Sequence, residues 1–394
     1  MKKKYELLAP AGDFSMLATA VKAGADAVYF GLKEFSMRDN AKNFTIQDLD
    51  KINKITGKKI KKYLTLNVII YDEEIKKVES ILKKIKGKVD AIICWDLSVI
   101  NLCRKFKIPF HVSTQASVSN AEAAKFYKSL GAQRVVLARE LNLKQIKKIS
   151  KIVPVECFIH GAMCVAVSGR CFMSQELFKR SANRGMCTQV CRRSYKITDE
   201  EGKELKINRN TVMSAKDLCA LPFMEKLKEA GIVSFKIEGR NRDARYVDTV
   251  VRIYRNALDK KLTKKEIDNY LGEMEKVYNR GFSSGFYLGT PTSDDFSTVE
   301  NSAATTKKEF IGKVTHYYPK IGVGTILIST GELKPNDEIV IIGKTTGIQK
   351  TKIEKIEINR KSVEKAVKGD EIGIRLPLVR VNDDVYIIKE VNKE

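Results

Sequence analysis

Histidine is nearly absent from this 394-residue chain: His111, His160 and His316 are its only three. That scarcity removes most hydrolytic constellations. There is no H-E-x-x-H; the nearest approach, Glu156 and His160 in ECFIH, falls on a strand-to-loop passage instead of one helical face. No G-x-S-x-G elbow occurs. A cysteine protease needs a thiol beside an imidazole, and only His160, just before Cys164, could supply one. Long apolar runs are missing too: none reaches the ~18 residues a membrane span requires, so none is expected. The N-terminal MKKKYELLAPAGDF starts basic, but Glu6, Pro10 and Asp13 interrupt any apolar segment, and no secretory signal is expected. The eight cysteines are therefore read as reduced thiols or ligands, and the protein as cytoplasmic.

What the chain has in excess is positive charge. Lys and Arg number 72 against 48 Asp and Glu, a formal charge of +24. Such an excess attracts polyanions over long range, and nucleic acid is the first suspect; a solvated Lys-rich surface is the bland alternative. The apolar fraction of 43% supports an ordinary core.

Apolar runs of strand length occupy 5–8, 25–30, 63–69, 91–94, 109–112, 134–138, 153–159 and 233–237. Segments of helical spacing lie between most of them, at 14–23, 73–85, 97–106, 120–130, 143–150 and 221–230. Eight such repeats predict an α/β fold of the (β/α)8, TIM-type class; a doubly wound open sheet gives no reason to stop at eight. The residues just past the strands are polar or small: Asp13, Gly31, Asn67, Asp96, Thr114-Gln115, Arg139-Glu140, His160, and Glu238 with Arg240. In a barrel they would ring the C-terminal mouth, where this fold places its chemistry. A hairpin is expected for 195–198 with 205–207, and two long amphipathic helices at 246–258 and 264–278.

The expected division is a barrel over 1–280 with a cysteine-rich insertion at 160–232, a Gly/Ser/Thr-rich connector at 281–307, and a small antiparallel β-barrel over 308–394. The last part, VGTILISTGELKPNDEIVIIG followed by VEKAVKGDEIGIRL, resembles the second domain of translation elongation factors, an RNA-associated barrel.

Four of the eight cysteines crowd into one stretch: Cys164, Cys171, Cys187 and Cys191, spaced C-x6-C-x15-C-x3-C. Four thiolates able to converge suit tetrahedral zinc or an iron–sulfur cluster. Only Cys187 and Cys191 approximate a zinc knuckle, and the gap of six is easier for a cluster wrapped by a Gly-rich loop. Cys219 is a possible substitute for Cys191, while Cys94, Cys103 and Cys157 sit in apolar patterns and read as core. The basic run Lys179, Arg180, Arg184, Arg192 and Arg193 reads as an RNA clamp or a solvated loop.

The segments ELLAPAGDFSMLATAVKAGADAVYFGL, FIHGAMCVAVSGRCFMS, NRGMC-x3-CRRSY, MSAKDLC and SFKIEGRNR together resemble peptidase family U32, over about residues 5–240. That resemblance implies a [4Fe–4S] cluster on Cys164, Cys171, Cys187 and Cys191; zinc stays the alternative metal from the thiols alone. The resemblance also implies hydroxylation of RNA bases without molecular oxygen, with prephenate as the hydroxyl-linked metabolite. The expected product is 5-hydroxyuridine in tRNA, ahead of 5-hydroxycytidine in ribosomal RNA. The family's collagenase-type name keeps a peptidase as the second reading, and a non-catalytic iron–sulfur RNA-binding or assembly protein as the third. A carboxylate-rich metabolite would want arginine, so Arg139 and Arg240 are candidate site residues, with Gln115 and Asn67 as neutral partners. His160 is the candidate proton carrier. The competing reading for the two arginines is a salt bridge to Glu140 or Glu238.

Overall fold

The computed structural model describes residues 5–38, 41–193, 195, 197–205, 213–299 and 301–391. Eight parallel strands close on themselves: β1 (Glu6–Pro10), β2 (Ala27–Gly31), β3 (Lys61–Thr65), β4 (Ala91–Cys94), β5 (Phe110–Val112), β6 (Arg134–Val136), β7 (Val155–Gly161) and β8 (Ser234–Ile237). β8 pairs with both β7 and β1, which completes the (β/α)8 barrel. All eight expected strands form, because each is an apolar run buried on both faces, as a helix-wrapped parallel strand must be.

The surrounding helices are α1 (Phe14–Lys22), α2 (Leu49–Thr56), α3 (Ile75–Ile85), α4 (Leu97–Phe106), α5 (Ala121–Ser129) and α6 (Leu143–Ile149). The insertion after β7 carries α7 (Met173–Phe178), and α8 (Met224–Glu229) leads into β8. α9 (Ala244–Asp259) and α10 (Lys264–Glu275) follow. α2 is not among the expected helices; its two turns bury only Leu49, Ile52 and Thr56. Two members of the expected polar ring turn out to be helix caps. Asp13 accepts from Met16 N (2.9 Å) at the start of α1, and Asp96 from Ser98 N (2.9 Å) at the start of α4.

The barrel is not apolar throughout. In its interior Glu156, fully buried, takes Lys236 Nζ at 2.8 Å and Arg134 Nη1 at 3.2 Å, and Arg134 also reaches Glu6 at 2.5 Å. Tyr63 and Ser234 donate to the same Glu6 carboxylate. Burial would raise the Glu156 carboxyl, but Lys236 and Arg134 outweigh it and hold the group down at about 2. The ring of His111 packs edge-on against Tyr63, and burial, aided by Arg134, keeps that imidazole neutral with a pKa of about 3.

The segment read as a connector packs on the barrel. Phe282–Ser283 pairs with the short strand Asp217–Cys219, which lies antiparallel to the end of β7, and Tyr287 Oη donates to Phe158 O at 2.6 Å. Strands Ile197–Thr198 and Glu204–Leu205 form the expected hairpin; its remainder, 206 and 207, lies outside the described residues.

The C-terminal part is an eight-stranded antiparallel sheet running from Thr306–Tyr318 to Asp384–Glu390 around a separate core that includes Val314, Ile326, Ile341 and Ile372. Within it, Gly347–Lys352 and Ile356–Ile358 are separate strands. This sheet rests on α1 and α9. Val340 and Ile348 cover Ala244, Lys350 pairs with the buried Asp248 (2.8 Å), and Lys22 donates to Thr346 O (2.7 Å). Gly347 is required there: a Cβ would stand 3.0 Å from the backbone N of Thr19, and φ is +67°. Among the described residues no helix is long and apolar enough to cross a membrane.

Candidate active site at the barrel mouth

The strand ends and the cysteine insertion enclose a cavity of about 110 Å³ above the barrel interior. Asn67, Gln115, Arg139, Glu238 and Arg240 line it together with Cys164, Cys187 and Cys191.

Its polar wall is an arginine cluster around one carboxylate. Arg38 Nε meets Glu238 Oε1 at 3.1 Å, and Tyr29 Oη donates to Glu238 Oε2 at 3.2 Å. Burial pushes the Glu238 carboxyl up, but Arg38, Arg139 and Arg240 together hold it at about 2. Three guanidinium groups thus face a single acid. Arg240 Nη1 donates to Ser36 Oγ (2.7 Å) and Thr65 Oγ1 (3.2 Å), and burial lowers this guanidinium to about 10. Its approach depends on Gly31, where a Cβ would meet Arg240 Nη1 at 2.4 Å. Arg139 stacks on Phe158, 3.8 Å to the ring centroid, and donates to Ala162 O at 2.7 Å. The Nε atoms of Arg139 and Arg240 are buried without a hydrogen-bond partner. Expected partner Glu140 is exposed and stands apart from this cluster. Arg38 escaped notice in the sequence because it lies in an irregular loop with no periodicity to mark it.

The neutral wall is a short relay of amides and hydroxyls. Ser113 Oγ donates to Gln115 Oε1 (2.5 Å), Asn67 Nδ2 reaches Ser113 Oγ (3.4 Å), and Gln115 Nε2 donates to Ser168 O (3.3 Å). The last bond ties the β5 end to the cysteine insertion.

His160 is not in the cavity. β7 gains a residue opposite β8: Phe158 pairs with Lys236 but His160 with Ile237. The bulge at Ile159 turns His160 outward, against Tyr246, Tyr254 and Phe282. There Tyr254 Oη lies 3.4 Å from Nδ1, and burial, with Arg242 nearby, lowers the imidazole to about 3. Glu156 and His160 consequently face opposite sides of β7 and cannot share a metal.

None of the eight cysteines is in a disulfide. Cys94, Cys103 and Cys157 are buried in the core as expected, and Cys219 is buried beside Tyr254 (Sγ to Oη 3.7 Å), away from the cavity. Cys164, Cys171 and Cys187 are all close enough to Cys191 to act on its charge; burial raises that thiol, and Arg192 opposes the rise. Arg38 likewise feels Cys187, and Arg139 feels Cys164. Cys187 Sγ accepts from Gln189 N at 3.4 Å. The donors therefore fit a thiolate-bound centre in kind and in neighbourhood: four reduced thiols flanked by cations. They are not at ligating spacing, since among the described residues no group of three or more His, Cys, Asp or Glu is arranged to hold a metal ion.

The basic run divides. Arg192 is buried and donates to Met163 O and Ala215 O, and Arg184 pairs with Glu74, so both fasten the insertion to the barrel. Lys179, Arg180 and Arg193 are exposed.

Residues 12–297 match the profile of peptidase family U32, and 322–391 that of elongation factor Tu domain 2. A collagenase of Porphyromonas gingivalis is 41% identical over 404 residues, spanning 97% of either chain. An uncharacterized protease of Methanocaldococcus jannaschii is 42% identical over 408 residues, 99% of this chain and 100% of its own. The tRNA hydroxylation protein P1 of Bacillus subtilis is 37% identical over 358 residues, 86% of this chain and 84% of its own.

Proposed function

We propose, from the premise that this chain belongs to peptidase family U32, that it is a cytoplasmic enzyme hydroxylating a pyrimidine base in RNA, with tRNA uridine as the first candidate. The observation that carries the reading is the cavity itself, lined by three guanidinium groups about one carboxylate and by cysteine thiols. A hydrolase has little to work with there, because none of the three histidines lines the cavity.

Two buried Nε–H groups without partners, on Arg139 and Arg240, support binding of an anion. The ligand class is a small carboxylate bearing a hydroxyl, of the prephenate kind, held by the planar forks of Arg139, Arg240 and Arg38. Glu238 fixes Arg38 and balances part of the charge before the ligand arrives. Gln115 and Asn67 present an amide each to the base, which must leave its stack to enter so narrow a space. In the overall exchange the base C–H and the donor's C–OH become C–OH and C–H; the base loses two electrons and the donor gains them.

Cys164, Cys171, Cys187 and Cys191 are the residues that would hold a [4Fe–4S] cluster. The chemistry available from such a cluster is electron transfer or Lewis-acid ligation at the cavity wall. Arg38, Arg139 and Arg192 set positive charge beside Cys187, Cys164 and Cys191 respectively.

Nucleoside mass spectrometry of tRNA and ribosomal RNA from cells with and without the gene tests the proposal. The expected result is loss of 5-hydroxyuridine or its derivatives from tRNA. Unchanged 5-hydroxypyrimidine levels in both RNAs would sink it, and hydrolysis of gelatin by the purified protein would return the collagenase reading.

A further inference from the structure

The surface around the cavity mouth leaves an unusual amount of apolar side chain in solvent. Among the described residues, five of the seventeen large exposed hydrophobic side chains, Val165, Val167, Phe172, Leu177 and Phe178, belong to one short segment of the cysteine insertion. Phe172 is 75% exposed, more than any other of them. The charge of the same stretch is one-sided: from Cys164 to Arg193 there are six Lys and Arg and a single acid, Glu176. Arg170, Lys179, Arg180 and Arg193 of that set are exposed.

Rings and guanidinium groups are also paired around the rim. Arg170 lies over Trp95 (4.6 Å to the centroid), Arg184 over Tyr71 (4.8 Å) and Arg193 over Phe178 (4.7 Å). Four exposed cations in a stretch with a single acid make the patch strongly positive, which favours a polyanion as its partner. Exposed aromatic faces interleaved with guanidinium planes suit unpaired nucleotides, whose bases stack on both while their phosphates meet the cations. A duplex offers the backbone but keeps its bases stacked on one another.

We propose that this segment is a stacking platform for the unpaired nucleotides flanking the target base, so that RNA is taken at a loop and not along a helical stem. The inference rests on the RNA reading above and adds to it the secondary structure of the substrate. The same insertion contributes Cys164, Cys187 and Cys191 to the cavity, so a base leaving a strand stacked on Phe172 would have a short path inward.

The test is equilibrium binding of the full chain to a stem–loop RNA and to a blunt duplex of equal length, over a range of salt. The stem–loop should bind more tightly. Phe172→Ala and Phe178→Ala should each weaken stem–loop binding by about tenfold and leave duplex binding alone. Phe178 is far enough from any cysteine in sequence to separate stacking from an effect on the thiol beside Phe172. Lys179→Ala should weaken both RNAs and reduce the salt slope by about one. Equal binding of loop and duplex, or aromatic variants that weaken both alike, would overturn the platform while leaving RNA binding intact. No RNA binding at all would defeat the broader reading instead. A Phe172→Ala variant that changes only the sedimentation of the protein would make this face a contact between copies, and would overturn the platform too.

Discussion

Phe158 and His160 are two positions apart on one strand, yet Phe158 carries Arg139 into the cavity and His160 packs on the outer side against Tyr254. In a regular strand both would face the same way. The extra residue between them decides which is near the chemistry. His160→Gln should therefore lower stability, by about 1–3 kcal/mol for a disturbed buried polar contact, and leave turnover per folded molecule unchanged. Loss of turnover in a variant with wild-type melting would put the imidazole back into the reaction.

The two buried histidines also set an acid limit. His111 and His160 titrate near 3 in the fold, against 6.5 for an unperturbed imidazole. Both folded values are depressed, so the unfolded chain binds more protons between those limits. Their contribution is complete above pH 6.5 and is lost as pH falls from there toward 3. Glu156 and Glu238, held near 2, begin to contribute a loss only below 4.5. Thermal melting should accordingly decline between pH 6.5 and 4.5, and His160→Gln should flatten that decline; an identical slope in the variant would contradict the assignment.

Glu156→Gln removes the acid that Lys236 and Arg134 share inside the barrel. Lys236 would then lack its counter-charge and Arg134 would keep only Glu6, and the expected loss is about 3–5 kcal/mol in denaturant unfolding. A loss under about 1 kcal/mol would mean that water or Glu6 compensates.

Serine substitutions divide the cysteines. In anaerobically purified protein, Cys164→Ser, Cys171→Ser, Cys187→Ser and Cys191→Ser should each bleach broad visible absorbance and reduce the iron content. Cys94→Ser and Cys219→Ser should keep both. A colourless wild-type protein with stoichiometric zinc would rule out the cluster, and bleaching by Cys219→Ser but not Cys191→Ser would replace the fourth ligand.

Arg240→Lys keeps the charge but loses the fork that touches Ser36 and Thr65. Calorimetric titration with a prephenate-like carboxylate should show affinity reduced by about 10–100-fold, the equivalent of one charge-assisted hydrogen bond. The visible spectrum should not change. Equal affinity in wild type and variant would remove Arg240 from the binding site.

The barrel was legible because eight apolar runs with polar ends alternate with segments of helical spacing, and the crowding of four cysteines in one stretch because clustering is visible without coordinates. Three features were not. Arg38 lies in an irregular loop between β2 and β3, and α2 after it is only two turns long, with Leu49, Ile52 and Thr56 as its whole buried face. The Glu156–Lys236 pair was half written in VSFKI, since a lysine within an apolar strand needs a partner, but the partner is eighty positions away. The orientation of His160 depends on a one-residue bulge, and alternation, the only guide to strand facing, fails at that point.

The seating of the C-terminal sheet on α1 and α9 has a consequence for how the chain can be dissected. Val340 and Ile348 are buried only because Ala244 and its neighbours lie against them, and Asp248 finds Lys350 across the same seam. A fragment ending before the sheet would present that seam to solvent, with Asp248 left to Arg252 alone. Low solubility or lost turnover in such a fragment would report an exposed greasy scar on the barrel, and would say nothing about whether the missing part handles RNA.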